Sequence, residues 1–340
     1  MAQLKDKIQN ALDESRLLVI GAQLLLGFKF RAPLEPGFET LPFTSQFLVL
    51  FALGLQLLTV ALLIAPSTYH HIVERGEDTP DMLRYTSRVM MWALLPFAFA
   101  LGVDIFVAGA KVGGTTVGVL FGFVALVVAL FFWYGLEAVP RGGRAGERKE
   151  GAKLESENQL EQEQQEQGEN EQGAQPQKQD EKLKTKIRHV LTEARMVLPG
   201  AQALLGFLLI GTLMQSFEKL PGLSKYVHLL STAMVALSVI LLMTPAAYHR
   251  IVEKGEETEH FHRFASRMVV VSMIPLALGI SGAVYVVVQK VLSSWLIALV
   301  SALVTLAVYY ELWFGLTIYR RMQRDHSKPK LTTTTLLGDK

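Results

Sequence analysis

Cysteine is absent from this chain of 340 residues. Its absence excludes disulfide bonds, thiolate metal sites, iron–sulfur clusters and cysteine nucleophiles. An excess of charge of one sign is also missing, because 33 lysines and arginines face 31 aspartates and glutamates, a net charge of +2. With so small a charge, and with aromatic residues inside apolar runs rather than between basic ones, we expect no nucleic-acid partner.

Motifs of enzyme active sites are also missing. The sequence has no recognisable nucleophile–base pairing and no metalloprotease helix. The glycine-rich stretch Gly142–Gly146 follows an apolar run and opens a polar segment, so it is not a phosphate-binding loop. We therefore predict that the protein is not an enzyme and has no catalytic residues, no metal site and no cofactor.

Long apolar runs dominate the rest of the chain, since half of all residues are hydrophobic. Runs such as Phe43–Ala65 and Trp295–Leu316 are long enough, at about 1.5 Å per residue, to cross a hydrocarbon core of roughly 30 Å. This pattern predicts an all-α membrane protein with eight transmembrane helices. The predicted spans are residues 17–34, 43–65, 89–110, 115–137, 196–215, 227–247, 268–288 and 292–316.

The second half of the chain repeats the first at an offset of 179 residues. For example, Gly21-Ala-Gln23 returns as Gly200-Ala-Gln202, and Pro66 with Tyr69-His70 returns as Pro245 with Tyr248-His249. Such order-preserving identity indicates a tandem duplication of a four-helix unit. We predict a first unit at 1–140 with an N-terminal amphipathic helix, a disordered Gln/Glu-rich linker at 141–181, a second unit at 182–322 and a disordered tail at 323–340.

Basic residues predict the orientation of the spans. The termini, the linker and the loops 66–88 and 246–267 hold 27 of the 33 lysines and arginines. Because Lys and Arg near short loops favour the cytoplasmic side, we predict a multi-pass protein of the bacterial inner membrane with both termini in the cytoplasm. Two units in the same orientation form parallel repeats and an internal pseudo-dimer, whose interface is the expected binding location. Two independent bundles are the alternative.

Three motifs carry a resemblance to a known family. They are Glu-x-Arg followed by Gly-x-Gln, the Ala-Pro-x-x-Tyr-His end of the second span, and a basic turn leading into an Arg-bearing third helix. In these motifs the chain resembles an uncharacterised bacterial four-helix membrane family, a domain of unknown function, here duplicated in tandem. Some members of that family are labelled sodium/proton antiporters, but the resemblance implies only a membrane fold and supplies no mechanism.

Two ionisable residues, Lys29 and Asp104, lie deep inside predicted spans. A charge there costs about 2.5 to 3.5 kcal/mol on insertion scales. Both residues should lie at the same depth, and the second copy replaces them together by Leu208 and Ala283. Since losing one partner of a buried pair strands the other, we predict an ion pair between Lys29 and Asp104. It either carries a proton or cation or only fixes helix packing.

Other polar residues in the spans are weaker candidates. Gln23 and Gln202 occupy matching mid-span positions, and we predict that they pair across the pseudo-twofold axis, either to join helices or to contact a substrate. Glu311 lies near the cytoplasmic end of the last span. Gly114, Gly118 and Gly122 form a ladder that permits close helix approach.

A belt of charged residues is predicted at the cytoplasmic surface, where salt bridges or anionic lipid headgroups would neutralise it. Within it, His70 and His249 are expected to make interfacial hydrogen bonds, with metal or haem ligation and proton sensing as minor alternatives. The belt comprises Glu14, Arg16, His70, Glu74, Arg84, Arg88, Glu193, Arg195, His249, Glu253, Arg263 and Arg267.

Two functions remain open at this point. One is an ion or proton transporter-like protein, of antiporter type, acting at the interface of the two repeats through Asp104, Gln23 and Gln202. The other is a non-catalytic membrane scaffold or stress-related protein, whose Arg/Glu belt contacts lipids or a partner protein.

Overall fold

The computed structural model describes residues 2–74, 79–137, 192, 194, 196–253 and 258–315. Every element within these ranges is helical, as the sequence predicts. The helices are α1 (Ala2–Arg31), α2 (Pro36–Glu39), α3 (Phe43–Ile72), α4 (Pro80–Trp133), α5 (Met196–Gly211), α6 (Gln215–Glu218), α7 (Gly222–Ile251), α8 (Glu259–Leu292) and α9 (Trp295–Tyr310). Short turns of other helix types lie at Ala32–Leu34, Gly135–Glu137 and Glu311–Gly315.

Six stretches of helix in the described part are long and apolar enough to cross a membrane. The protein is therefore an integral, multi-pass membrane protein by the length and composition of its helices. The six stretches are Ala11–Leu34, Phe43–Ile72, Pro80–Trp133, Gly222–Ile251, His260–Leu292 and Trp295–Gly315. Helix α5 is apolar but shorter than these.

Helix α4 has twice the length of a membrane span because it contains a reversal at Gly113 and Gly114. Gly114 has φ +81° and ψ 177°, a conformation that only glycine adopts readily. The arms 80–112 and 115–133 then pack together, since a Cβ on Gly118 would lie 2.7 Å from the carbonyl oxygen of Phe106. The glycine ladder therefore does permit close helix approach, although Gly114 itself forms the turn.

The N-terminal charged segment differs from the prediction. A separate amphipathic helix was expected before the first span, but α1 runs without interruption from Ala2 to Arg31. Its residues Ile8, Ala11 and Glu14 are buried. The charged segment is therefore an extension of the first apolar helix, and its apolar face packs inside the protein.

The second apolar helix of each half is also longer than predicted. The predicted spans end at residues 65 and 247, but α3 continues to Ile72 and α7 to Ile251, with Pro66 and Pro245 inside them. A proline removes one backbone hydrogen bond, and packing against neighbouring helices compensates for that loss. Helix α4 begins after Thr79, whose Oγ1 caps it by accepting a hydrogen bond from the Met82 amide at 3.1 Å.

Helix α7 lies at the centre of the structure. It packs against α8 of its own half and against α4 of the first half, and the Trp133 indole donates to the Ile240 carbonyl at 3.1 Å. The main core cluster draws residues from both halves, including Leu18, Phe97, Leu205 and Val239. The two halves thus share one core, which disfavours two independent bundles.

Candidate functional site

Polar side chains lie at several levels along the contact between the two halves. Helix α1 carries Glu14 and Lys29, which are fifteen residues and therefore about 22 Å apart along the helix. Both side chains are almost fully buried. Since burial in an apolar environment is costly for a charge, each of them requires partners within the protein.

The first polar site is the ion pair of Lys29 and Asp104, called here the Lys29 pair. The Lys29 ammonium donates a hydrogen bond to Oδ2 of Asp104, and the two side chains are only 8% and 15% exposed. The ion pair predicted from the sequence is thus present. It joins α1 to the first arm of α4 within the first half.

A small cavity adjoins the Lys29 pair. Its volume is about 40 Å³, which is room for one or two water molecules. Phe28 and Val49 of the first half line it together with Gly206 and Leu213 of the second. The Lys29 pair therefore faces a cavity between the halves, the location in which a binding site was expected.

The second half has a different ionisable group at the same level. Leu208 and Ala283 replace the Lys29 pair, but His228 stands at the position of Val49. The His228 ring is buried, and its Nε2 lies 2.8 Å from the Leu208 carbonyl oxygen. Sequence reasoning missed His228, although a single histidine inside the apolar run 227–247 is a signal that could have identified it.

The glutamine pair predicted at mid-span is not formed. Gln202 is fully buried, whereas Gln23 is exposed. Gln202 packs onto Gly21, where a Cβ would lie only 1.2 Å from its Oε1, and its amide contacts the sulfur of Met243 at 3.8 Å. The prediction was wrong because α1 and α5 do not pack as equivalents under a twofold rotation, so Gln202 lies inside and Gln23 faces outward.

The second polar site, called here the Glu14 cluster, consists of Glu14, His249 and Arg250. His249 Nδ1 lies 2.6 Å from one Glu14 oxygen, and Arg250 Nε donates to the other at 2.5 Å. All three side chains are at most 2% exposed. The ring of Phe261 stacks on His249 at 4.5 Å. This cluster connects the N-terminal half of α1 with the last turn of α7.

The Glu14 cluster corrects the predicted surface belt. Glu14 and His249 are buried, and Arg250 was missed because the matching residue in the first half is His71. The expected interfacial hydrogen bond of His249 is present. The corresponding His70 differs, since its buried Nδ1 has no hydrogen-bond partner among the described residues.

The remaining belt residues divide into buried and exposed groups. Glu253 is buried and lies 3.7 Å from His260, while Glu74 is partly buried. Glu193 and Arg195 lie outside the described residues. The exposed members are Arg16, which pairs with Asp13, Arg84, which pairs with Asp81, and Arg88, Arg263 and Arg267. Glu311, a candidate intramembrane residue, is exposed at the end of α9.

A third polar site, the Lys111 cluster, connects the halves near the turns at the other end of the helices. Lys111 Nζ lies 2.7 Å from Glu218, whose second oxygen is 3.6 Å from Lys225. The Lys111 hydrogen bond and the nearby ammonium charges lower the pKa of Glu218, which lies outside the spans. Beside it, the Gly37 amide donates to the Leu213 carbonyl at 2.8 Å. Sequence reasoning did not identify this cluster.

Comparison with known proteins identifies the family of both halves. The model of the family of unknown function DUF6328 matches residues 2–137 and again residues 176–317. The chain belongs to the DUF6328 family. The double match is consistent with the tandem duplication and confirms the resemblance to an uncharacterised family. No curated protein and no solved structure is significantly similar to this chain.

The two DUF6328 units contribute different chemistry to their shared interface. The first unit provides Glu14 and the Lys29 pair, while the second provides His249 and Arg250. Carboxylates and imidazoles exchange protons near neutral pH when their surroundings allow it. The arrangement is therefore suited to proton or cation exchange, and equally to holding the two units together.

Proposed function

We propose that this DUF6328 protein exchanges protons or small cations across the membrane at the interface of its two units. The observation that carries the proposal is the Lys29 pair, which faces a cavity lined by residues of both units. Ionisable residues inside spans are costly and are usually retained for transport or packing. A cavity beside such a pair favours the transport alternative, because packing alone would not need it.

The proposal includes a topology of eight spans in a bacterial inner membrane, with both termini in the cytoplasm. The reversal at Gly114 divides α4 into two arms that can each cross, and α5 with the following turns provides the fifth span. Two units of four spans then have the same orientation, as the distribution of Lys and Arg favours. In this topology the Glu14 cluster faces the cytoplasm and the Lys111 cluster the opposite side.

The exchange would take place at Asp104. In the resting arrangement, Lys29 neutralises the carboxylate. A proton or a metal cation arriving through the cavity competes with the Lys29 ammonium for the Asp104 oxygens, and its departure restores the ion pair. Movement of one unit against the other would alternate access to the cavity, as in other transporters with parallel repeats.

Proton and sodium fluxes in liposomes test this proposal. We expect wild-type protein to carry a flux that depends on pH, and Asp104→Asn to abolish it. The double variant Lys29→Leu/Asp104→Ala gives the first unit the residues of the second, so it should fold but carry no flux. Glu39→Gln, a change at an exposed residue, is the matched control. Equal fluxes in wild type and Asp104→Asn at several pH values would refute the proposal.

A second candidate function is a non-catalytic scaffold that binds anionic lipid headgroups. The observation that favours it is a stripe of exposed residues on α4, Arg84 and Arg88 followed one turn later by Trp92, with Arg263 and Arg267 at the matching positions of α8. Arginine next to an interfacial tryptophan is typical of a helix entering the membrane. Retention of anionic lipid by purified protein, lost when the four arginines become glutamine, would support this function.

A further inference from the structure

Three side-chain nitrogen atoms of Arg250 and His249 have no hydrogen-bond partner in the described part of the protein. Arg250 Nη1 and Nη2 and His249 Nε2 are buried, and none of these three atoms has a hydrogen-bond partner there. The two Glu14 oxygens contact Arg250 Nε and His249 Nδ1 instead, and Glu14 makes no hydrogen bond with these three atoms. Within the part of the chain that the structure describes, the guanidinium therefore uses one of its five N–H donors and leaves four unsatisfied.

Unsatisfied donors of this kind are unusual in a folded protein. A buried donor without an acceptor costs about 1–3 kcal/mol, and more when it carries charge. The Arg250 side chain is charged at every physiological pH and is 2% exposed. The hydrogen bond from Arg250 Nε to Glu14 would by itself be enough to join the two helices. The unpartnered Nη1 and Nη2 atoms therefore point to an additional acceptor.

The chemistry of the unused edge indicates the class of that acceptor. The planar fork of a guanidinium matches the oxygens of phosphate and carboxylate groups, which accept two parallel hydrogen bonds from it. Glu253, one turn beyond His249, is the nearest carboxylate along the chain, and it lies beside His260. In the proposed topology this end of α7 is at the level of the inner headgroups, where phosphate is the abundant oxyanion.

We propose that Arg250, held in place by Glu14 and accompanied by His249, binds a phosphate group at the interface of the two units. The phosphate comes either from a lipid headgroup or from free inorganic phosphate, and the binding chemistry is the same for both. This site joins the N-terminal half of α1 to the last turn of α7, so an occupied site stabilises the contact between the units. The inference is independent of proton exchange at Asp104.

Thermal unfolding of the full chain tests the site. Tryptophan fluorescence reports unfolding in detergent with increasing inorganic phosphate, against chloride at equal ionic strength, and in nanodiscs with and without phosphatidic acid. A ligand that binds only the folded state raises the midpoint as its concentration increases. A rise with phosphate in detergent identifies the free anion, and a rise only with phosphatidic acid identifies the headgroup. No rise in either arm would overturn the proposal.

Variants at the site and at a matched surface position make the test specific. Arg250→His introduces the residue found at the matching position of the first unit and should weaken the phosphate response by about tenfold or more. The control Arg31→Gln changes an exposed arginine at the other end of α1 and should respond like wild type. A response that survives in Arg250→His, or that is lost in Arg31→Gln, would contradict the assignment.

A third variant decides the outcome if Arg250→His does not fold. Glu14→Gln removes the carboxylate charge that competes for Arg250 and keeps an oxygen acceptor for it. If phosphate binds the guanidinium, its apparent affinity must increase in Glu14→Gln. An unchanged or weaker affinity would exclude Arg250 as the ligand.

Discussion

Helices α3 and α7 have matching sequences in the two units but very different surroundings. In the most apolar stretch of α7, 72% of the residues are buried, against 33% in α3. Every residue from 238 to 253 is buried, whereas Ile72 and Val73 at the end of the first copy are largely exposed. Similar spans have therefore become a central helix in one unit and a peripheral helix in the other.

The same inequality recurs at single residues. Gln202 packs on Gly21, but Gly200 has no neighbour where Gln23 would lie. Lys111 pairs with Glu218, while the matching Lys290 and Glu39 are both exposed. Phe28 and Phe207, which occupy matching positions, contact each other directly, with ring centroids 4.6 Å apart. The duplication thus created two equivalent sets of residues, but in most of these pairs only one member contacts the other unit.

Removing Arg250 should show the inequality most strongly. Arg250→Ala strands the buried Glu14 carboxylate and should lower the free energy of unfolding by about 3–5 kcal/mol. His71→Ala, the change at the matching exposed position, should alter it by no more than about 0.5 kcal/mol. Unfolding in detergent, followed by tryptophan fluorescence, measures both. Equal losses would mean that the two helix ends are equivalent after all.

The Lys29 pair provides the next largest effect. Asp104→Ala alone leaves the Lys29 ammonium without its carboxylate and should cost about 3 kcal/mol. The double variant Lys29→Leu/Asp104→Ala carries the residues that the second unit tolerates, so its stability should return close to that of wild type. A double-mutant cycle on the same unfolding assay measures the coupling. Additive losses would show that the two charges do not stabilise each other.

Two glycines at matching positions provide a smaller and purely steric comparison. A Cβ on Gly206 would lie 1.9 Å from the Phe28 ring, whereas one on Gly27 meets nothing within 4 Å. Gly206→Ala should therefore cost about 1–3 kcal/mol through overpacking. Gly27→Ala should be neutral or slightly stabilising, because alanine is the better helix former. Melting temperatures that fall equally for both would contradict the asymmetric packing of α1 and α5.

The smallest effect is the pH dependence of the Lys111 cluster. The pKa of Glu218 is lowered in the folded state, chiefly by the Lys111 hydrogen bond. Its contribution to stability is therefore complete above the unfolded-state value near 4.5 and disappears as the pH falls through the lower folded-state value. Because Glu218 is half exposed, we expect less than about 1 kcal/mol.

Two variants measure this contribution. Glu218→Gln should reduce the loss of stability between pH 5 and pH 3, and Glu39→Gln, at the matching exposed position, should leave it unchanged. Unfolding curves over this pH range compare the two. A larger effect for Glu39→Gln than for Glu218→Gln would mean that Glu39, and not Glu218, is the carboxylate that contributes to stability.

Sequence reasoning predicted the Lys29 pair correctly because the energetic cost of each charge and the comparison of the two units led to the same conclusion. Each charge is expensive inside a span, and the second unit had lost both, so pairing followed from the repeat itself. The same reasoning failed for Gln23 and Gln202, because uncharged polar residues tolerate more than one environment. It could not find the contact of Arg250 or the Lys111–Glu218 bridge. These contacts join residues that are distant in sequence, and the residues at the matching positions, His71, Lys290 and Glu39, are exposed.

The sequence alone determined that the chain forms apolar helices, and that it does so twice. Backbone amides in hydrocarbon have no water to bond, so each long apolar run must satisfy its own hydrogen bonds as a helix. Only the tertiary structure decided which copy of each residue is buried at the interface. That choice depends on close packing among several helices at once, so two nearly equal sequences occupy unequal places as soon as one of them takes the centre.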